Sequence, residues 1–407
     1  MKKNNIWMMA AGVGTRLYVE FIGRLTYSDL LILATIPFTF SYQKIKKYHG
    51  TKVVLLCLLL MGIIQIVSDI FNQSLFADSS RGISVLIISS LWIIFFVNKL
   101  SKNLDSVIYY LFGMAIINLF VGESVFEQEL WDRSNFFKSR GVPFLNTVLM
   151  IFSFYLSTKG NSKVVVLIFL SFSFLCFFLD ARSNGLIFLL SSALLALKII
   201  RPNLSKFYFA VYASICFFIM VWLYVIYIGL VLSNNFGGSN SIDQYNKAEN
   251  PYNPVQILYY GRVGLVVAGY AIAEKPLLGH GSWAKDKDGK YARLSAQIRG
   301  KKAIDKSIIP SHSVIAGAWL YMGVFGFLVI LYLYYYFIKL YLNIYFNRIN
   351  ASYLPLVTVL TLEMMWHFLF SPYGVLRTSF PIIISLLIIL NNDFLKNYNL
   401  KNIKSEL

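Results

Sequence analysis

The sequence predicts an all-α protein that crosses a membrane many times, and three observations carry that expectation. The chain of 407 residues is 57% hydrophobic and only 14% charged, with a mean hydropathy of +0.62; a soluble domain carries about 25% charged residues. The apolar residues fall in blocks spread along the whole chain, long enough to cross a bilayer as helices. Short alternating strands, which a closed barrel would need, are missing from the pattern.

Twelve spans are expected, at about 5–23, 28–42, 52–71, 82–98, 105–121, 143–158, 163–179, 184–200, 206–232, 313–338, 353–370 and 376–391. The start "MKKNNIWMMAAGVG" is basic but has no cleavage site after it, so the first block is expected to be retained. That block contains Arg16 and Glu20, four apart, a spacing that would let them pair on one helix face. The second block is short and holds Pro37. Cys57, Cys176 and Cys216 all lie in apolar blocks without paired spacing, so neither a disulfide framework nor a cysteine metal site is implied.

The net charge of +18 is read through topology before any nucleic-acid reading. With a cytoplasmic N-terminus, Lys44, Lys46, Lys47, Lys52, Lys99, Lys102, Lys159, Lys163, Lys198, Arg201, Lys206, Lys339 and Arg348 all fall in inside loops, as the positive-inside rule requires. Both termini are then cytoplasmic. Three basic segments fall outside: about 122–142 with Arg133, Lys138 and Arg140, the turn "DARS" at 180–183, and the long segment at about 233–311. The last is a large non-cytoplasmic loop between spans nine and ten, in a chain read as one transmembrane domain over 1–407. It holds eleven Lys and Arg against six Asp and Glu. The topology rule does not explain basic charge on that side, so an anionic ligand is expected.

Within the loop, 233–250 is rich in Asn, Ser and Gly and reads as flexible. Asn253 is a candidate N-cap and Pro254 a first helical residue. The apolar run that follows, up to Pro276, reads as an interfacial or re-entrant helix. It carries Tyr260 and one mid-run charge, Arg262.

Arg182 lies between two strongly apolar spans, where a charge costs several kcal/mol unless it is paired or solvated. Arg262 must point at water, headgroups or a ligand. His312 follows Pro310 and Ser311 where an apolar helix begins, with Ser311 as the candidate cap. The positive end of a helix disfavours a protonated imidazole, and a neutral imidazole can accept a proton. His367, four after Glu363, would make either a proton relay or a polar contact between helices, and Arg377 opens the next span. "DKDGK" at 286–290 has the Asp-x-Asp spacing of a cation site, but its glycine and lysines make it a polar turn. "GHGSW" at 279–283 lacks the strand–helix unit of a nucleotide loop.

In order, "ARSNGL", "GR" at 261–262, "KPLLGHG" at 275–281, "HS" at 312–313 and "GVFG" at 323–326 resemble the O-antigen polymerase and O-antigen ligase superfamily of bacterial surface-polysaccharide assembly. The resemblance covers about 175–330, and the first half agrees in hydropathy only. Ser313 stands where that pattern has asparagine, and Ala181 where it has serine.

The resemblance implies a C-type (GT-C) glycosyltransferase fold in the bacterial inner membrane, acting in lipopolysaccharide biosynthesis. The donor is a glycan on undecaprenyl pyrophosphate, presented at the periplasmic face, and no metal or other cofactor is implied. Arg182 and Arg262 would hold the pyrophosphate, with His312 as general base. Arg299, Lys301 and Lys302 would recruit the anionic carrier or glycan, with Arg377 and Tyr260 as further substrate contacts. A polymerase is the leading expectation, acting on lipid-linked oligosaccharide as both donor and acceptor, with a chain-length regulator as a partner protein. The alternatives are a ligase that transfers glycan to lipid A-core, and a flippase for the same lipid-linked sugars.

Overall fold

The computed structural model describes residues 3–20, 23–121, 137–233, 239–300, 308–347 and 351–405. Arg133, Lys301, Lys302 and Arg348 lie outside the described residues.

The described chain is almost wholly helical. Helix α1 (Lys3–Val13) leads into a two-stranded antiparallel hairpin, β1 (Tyr18–Glu20) and β2 (Arg24–Thr26). Then follow α2 (Tyr27–Thr39), α3 (Tyr42–Lys47), α4 (His49–Phe71), α5 (Phe76–Leu100), α6 (Ser106–Val121), a π turn at Phe137–Gly141, α7 (Val142–Thr158), α8 (Ser162–Phe178), α9 (Arg182–Ile200) and α10 (Lys206–Leu232). The long loop carries α11 (Ser239–Asn246), α12 (Pro254–Gly261), α13 (Val263–Glu274) and α14 (Lys290–Arg299). The chain ends with α15 (Val314–Phe346), α16 (Leu354–Phe370), α17 (Val375–Thr378) and α18 (Phe380–Ser405).

Among the described residues, seven helices are long and apolar enough to cross a membrane, or eight if α12 and α13 form one broken span. This is an all-α polytopic membrane protein. The seven coincide with predicted spans three, four, six, eight, nine, ten and eleven. Spans two, five, seven and twelve coincide with shorter apolar helices.

The first predicted span is corrected. Its helix has 11 residues, about 16 Å at ~1.5 Å per residue, against a ~30 Å hydrocarbon core. The chain then turns into the hairpin. Thr15 Oγ1 donates to Gly12 O (2.7 Å), and Thr26 and Asp29 form a capping box that starts α2. Arg16 and Glu20 therefore do not share a helix face. Arg16 Nε donates to Asn118 Oδ1 (3.1 Å), and Glu20 pairs with Arg24 (3.4 Å).

The core lies where α5, α15, α16 and α18 meet, around Trp92, Phe95, Phe96, Phe337, Phe368 and Phe380. Helix α4 packs on α5 and α15, α8 on α9, and α1 on α6. Helix α10 is different. Almost none of it is buried, and Phe217, Phe218 and Trp222 point outward, which suits a lipid-facing helix.

The two ends of the bundle differ chemically. At one end Lys44 Nζ donates to Asn98 O (3.1 Å), and Lys198 Nζ reaches Phe346 O (3.4 Å). Both carbonyls lie in the last turn of a helix, the negative end of its dipole. The long loop and the site residues described below gather at the other end.

The bundle and the loop are locked together by a kink. Gly323, inside α15, has φ 67° and ψ −164°. A β-carbon there would sit 2.0 Å from the Leu277 carbonyl oxygen. The "KPLLGHG" turn presses into that kink: Val324 N donates to Pro276 O (2.9 Å), His280 N to Leu320 O (2.7 Å) and Gly281 N to Tyr321 O (3.1 Å). The end of α4 clamps the turn from behind. Ser68 Oγ donates to Leu278 O (2.6 Å), and Asp69 accepts from Ser282 N (2.6 Å) and Ser282 Oγ (2.8 Å). Gly323→Ala is expected to destabilise the protein by about 3 kcal/mol or more, because both the φ angle and the backbone contact forbid a side chain. Thermal unfolding in detergent measures this, and a wild-type midpoint would contradict it.

Candidate functional site

Five of the expected site residues converge on one cavity of about 2230 Å³. Arg182, Arg262, Arg299, His312 and Arg377 all line it. So do Arg16, Arg24, Arg81 and Lys138, against the carboxylates of Glu20, Asp180 and Glu363. Among the described residues the lining thus carries eight fixed cations and three carboxylates. A cavity of that sign attracts anions and raises their local concentration.

Arg182 is the first residue of α9. Its Nε lies 3.3 Å from Asp180 Oδ1, and its Nη2 donates to Gln244 Oε1 (3.3 Å). Asp180 is buried and has φ 59°, so the turn from α8 folds its carboxylate back under the guanidinium. Gln244 in turn donates from Nε2 to Ile257 O (2.7 Å), tying α11 to α12 beside Arg182.

The single apolar helix expected after Pro254 is in fact two. Asn253 caps α12 through Val255 N (2.9 Å), as expected. Arg262 then breaks the run, and α12 and α13 meet at 88°. The guanidinium leaves the helix line and lies over the rings of Trp366 (5.5 Å) and Phe370 (5.3 Å), and Nη1 donates to Phe370 O (3.2 Å). Burial first, and then the positive charge of Arg182, lower the pKa of Arg262 from its ordinary value.

His312 stands just ahead of α15, with φ 39°. The cap is Ser313, not Ser311: Ser313 Oγ accepts from Ala316 N (3.1 Å) and donates to Phe368 O (3.1 Å). Asparagine and serine are both strong N-caps, so Ser313 can do what an asparagine there would do. The Cδ2 edge of the imidazole abuts α13 at Gly264. A β-carbon on Gly264 would fall 1.9 Å from His312 Cδ2 and 3.0 Å from Nε2. Gly264 is two residues after Arg262, so one short helix places both the arginine and the floor under the histidine.

The remaining expectations separate. Arg377 Nη2 is ion-paired with Asp29 Oδ2, whose other oxygen accepts from Trp92 Nε1 (2.8 Å). Its charge is already answered by a buried carboxylate, so it braces α17 against α2 as well as lining the cavity. Arg299 is exposed at the end of α14. Tyr260 does not line the cavity; it packs against the apolar clusters around Val267 and Tyr245. Glu363 and His367 line the cavity together, 3.8 Å apart, and His367 Nδ1 lies 2.7 Å from Ser371 Oγ. Asp286 accepts from Ala292 N (2.7 Å) at the start of α14, a capping task that fits a polar turn. Among the described residues no group of three or more His, Cys, Asp or Glu could hold a metal ion.

Sequence reasoning missed Ser68, Asp69, Gln244 and Gly264. Ser68 and Asp69 left a signal, as polar residues closing the apolar block 52–71. Gln244 and Gly264 left none.

No family model matches this chain, and no curated protein matches it.

Proposed function

We propose that the protein is a surface-polysaccharide polymerase, an inverting, metal-independent glycosyltransferase of the C-type fold. It moves a growing glycan from undecaprenyl pyrophosphate onto the sugar of a lipid-linked repeat unit. The chain crosses the bacterial plasma membrane many times, and the cavity opens at the periplasmic face. One observation carries the proposal: Arg182, Arg262 and His312 line the same cationic cavity, with His312 and Arg262 placed by the same short helix.

In this mechanism the acceptor hydroxyl oxygen attacks the anomeric carbon of the donor sugar. The bond from that carbon to the pyrophosphate oxygen breaks, and the pyrophosphate leaves with the electron pair. The hydroxyl proton passes to His312. Charge grows on the leaving pyrophosphate, so cations fixed in advance lower the barrier. A guanidinium suits this task because its planar fork makes two charge-assisted hydrogen bonds to phosphate oxygens.

The placement of the special residues at one end of the bundle also favours an enzyme over a transporter, which would hold charges near the midplane between internal repeats. Deleting the gene and analysing the lipopolysaccharide distinguishes the alternatives. The proposal expects single repeats on the lipid A-core. Bare core would overturn it in favour of a ligase.

A further inference from the structure

The cavity has a second cationic wall, and the donor site makes no use of it. Its residues come from the first hundred positions, where the family resemblance rests on hydropathy alone. Arg16 follows α1, Arg24 is on β2, and Arg81 is in the second turn of α5; all three line the cavity. Glu20 is the one carboxylate of that wall among the described lining residues.

The wall is built rather than incidental. The hairpin faces the cavity along its length, through Tyr18, Glu20, Gly23 and Arg24. The Arg24 guanidinium stacks over the Tyr18 ring at 5.2 Å. The Arg81 side chain lies across Gly23, its Cγ 3.4 Å from where a β-carbon would stand, so hairpin and helix form one surface. Arg16 is anchored to Asn118 at the end of α6 (3.1 Å). Behind the wall, buried Asp78 is shared by Arg81 (3.5 Å) and Lys285 (3.2 Å). The same turn of α5 abuts Ser282, which Asp69 holds, so the wall is fixed to the turn that seats α15 and hence His312.

The cavity is also larger than one headgroup needs. Small-molecule sites span roughly 300–1,000 Å³, and this one is about 2230 Å³. A transfer between two lipid-linked sugars needs two anionic headgroups in one space, with the base between the reacting sugars.

Resting on the polymerase reading above, we infer that Arg16, Arg24 and Arg81 form the acceptor site and hold the pyrophosphate of the second polyprenyl-linked sugar. The chain then binds two lipid pyrophosphates at once, one on each cationic wall. The hairpin positions the acceptor's hydroxyl toward His312 without touching the donor.

The test is a binding stoichiometry on the purified full-length protein in detergent at low salt, with geranylgeranyl pyrophosphate as the probe. Two equivalents are expected per chain. Arg24→Gln combined with Arg81→Gln should leave one equivalent, and Arg182→Gln combined with Arg262→Gln should leave the other. Arg24→Lys, which keeps the charge and loses the fork, should weaken the second site by about tenfold and serves as the milder variant. A wild-type protein that binds one equivalent, unchanged by the Arg24 and Arg81 substitutions, overturns the acceptor site and leaves the donor site standing. Two equivalents that are both lost with Arg182 and Arg262 also overturn it. A wild-type protein that binds none removes the polymerase reading itself.

Discussion

Replacing Arg262 with lysine is expected to lower glycan transfer by about a hundredfold, although the positive charge is kept. Removing one preorganised donor from a site of developing negative charge costs ~10²–10³ in rate. Lysine would lose more than a donor here. The guanidinium is flat, and it is held flat by the rings of Trp366 and Phe370 and by the bond from Nη1 to Phe370 O. A compact ammonium cannot stack that way or present two parallel donors. The break between α12 and α13 falls at this residue, so its backbone is committed to the same task. The check is a transfer assay on purified variants, with thermal unfolding to establish folding. Wild-type turnover in Arg262→Lys would mean that only the charge matters.

Gly264→Ala is expected to abolish transfer as fully as His312→Ala does, though position 264 carries no reactive group. The new methyl would stand 1.9 Å from His312 Cδ2 and 2.9 Å from Cγ, so the ring must leave its place. A misplacement of about 1 Å can cost ~10²-fold. Alanine suits a helix at least as well as glycine, so the melting temperature should hold or rise. That separates the effect from simple unfolding. The double variant with His312→Ala should be no slower than either single one, because both remove the same base. A Gly264→Ala protein with normal turnover would show that the position of the His312 ring is not critical.

The bundle was largely legible from hydropathy because a lipid environment leaves helices as the only spanning structure in a chain without barrel strands. Hydropathy fails where a helix stops for a reason other than polarity. Residues 5–23 read as one block, yet the helix ends at Val13 and the chain doubles back as a hairpin. The contacts that decide this run to Asn118 and Asp29, far away in sequence or invisible to a local pattern. Arg182 and Arg262 were legible because a charge in an apolar run has few excuses. The 88° bend at Arg262 was not, since Gly261 and Arg262 sit inside a run that is otherwise mostly apolar. His312 was expected inside the helix start, but the cap is Ser313 rather than Ser311, so the histidine stands just ahead of the helix. Two serines flank it, and Ser313 is the one that accepts from Ala316 N and donates to Phe368 O. Gly264 was invisible because its meaning is the ring that rests on it from 48 residues away.

The central claim is that this cavity joins two lipid-linked sugars with His312 as the base. The most direct measurement is the reaction of purified protein with undecaprenyl-pyrophosphate-linked repeat units in detergent, where no membrane remains to be crossed. Chains longer than one repeat are expected from the wild-type protein, and turnover should be at least about a hundredfold lower for a folded His312→Ala variant. Folded wild-type protein that leaves the repeat units unjoined, or His312→Ala protein that joins them at the wild-type rate, would contradict the account.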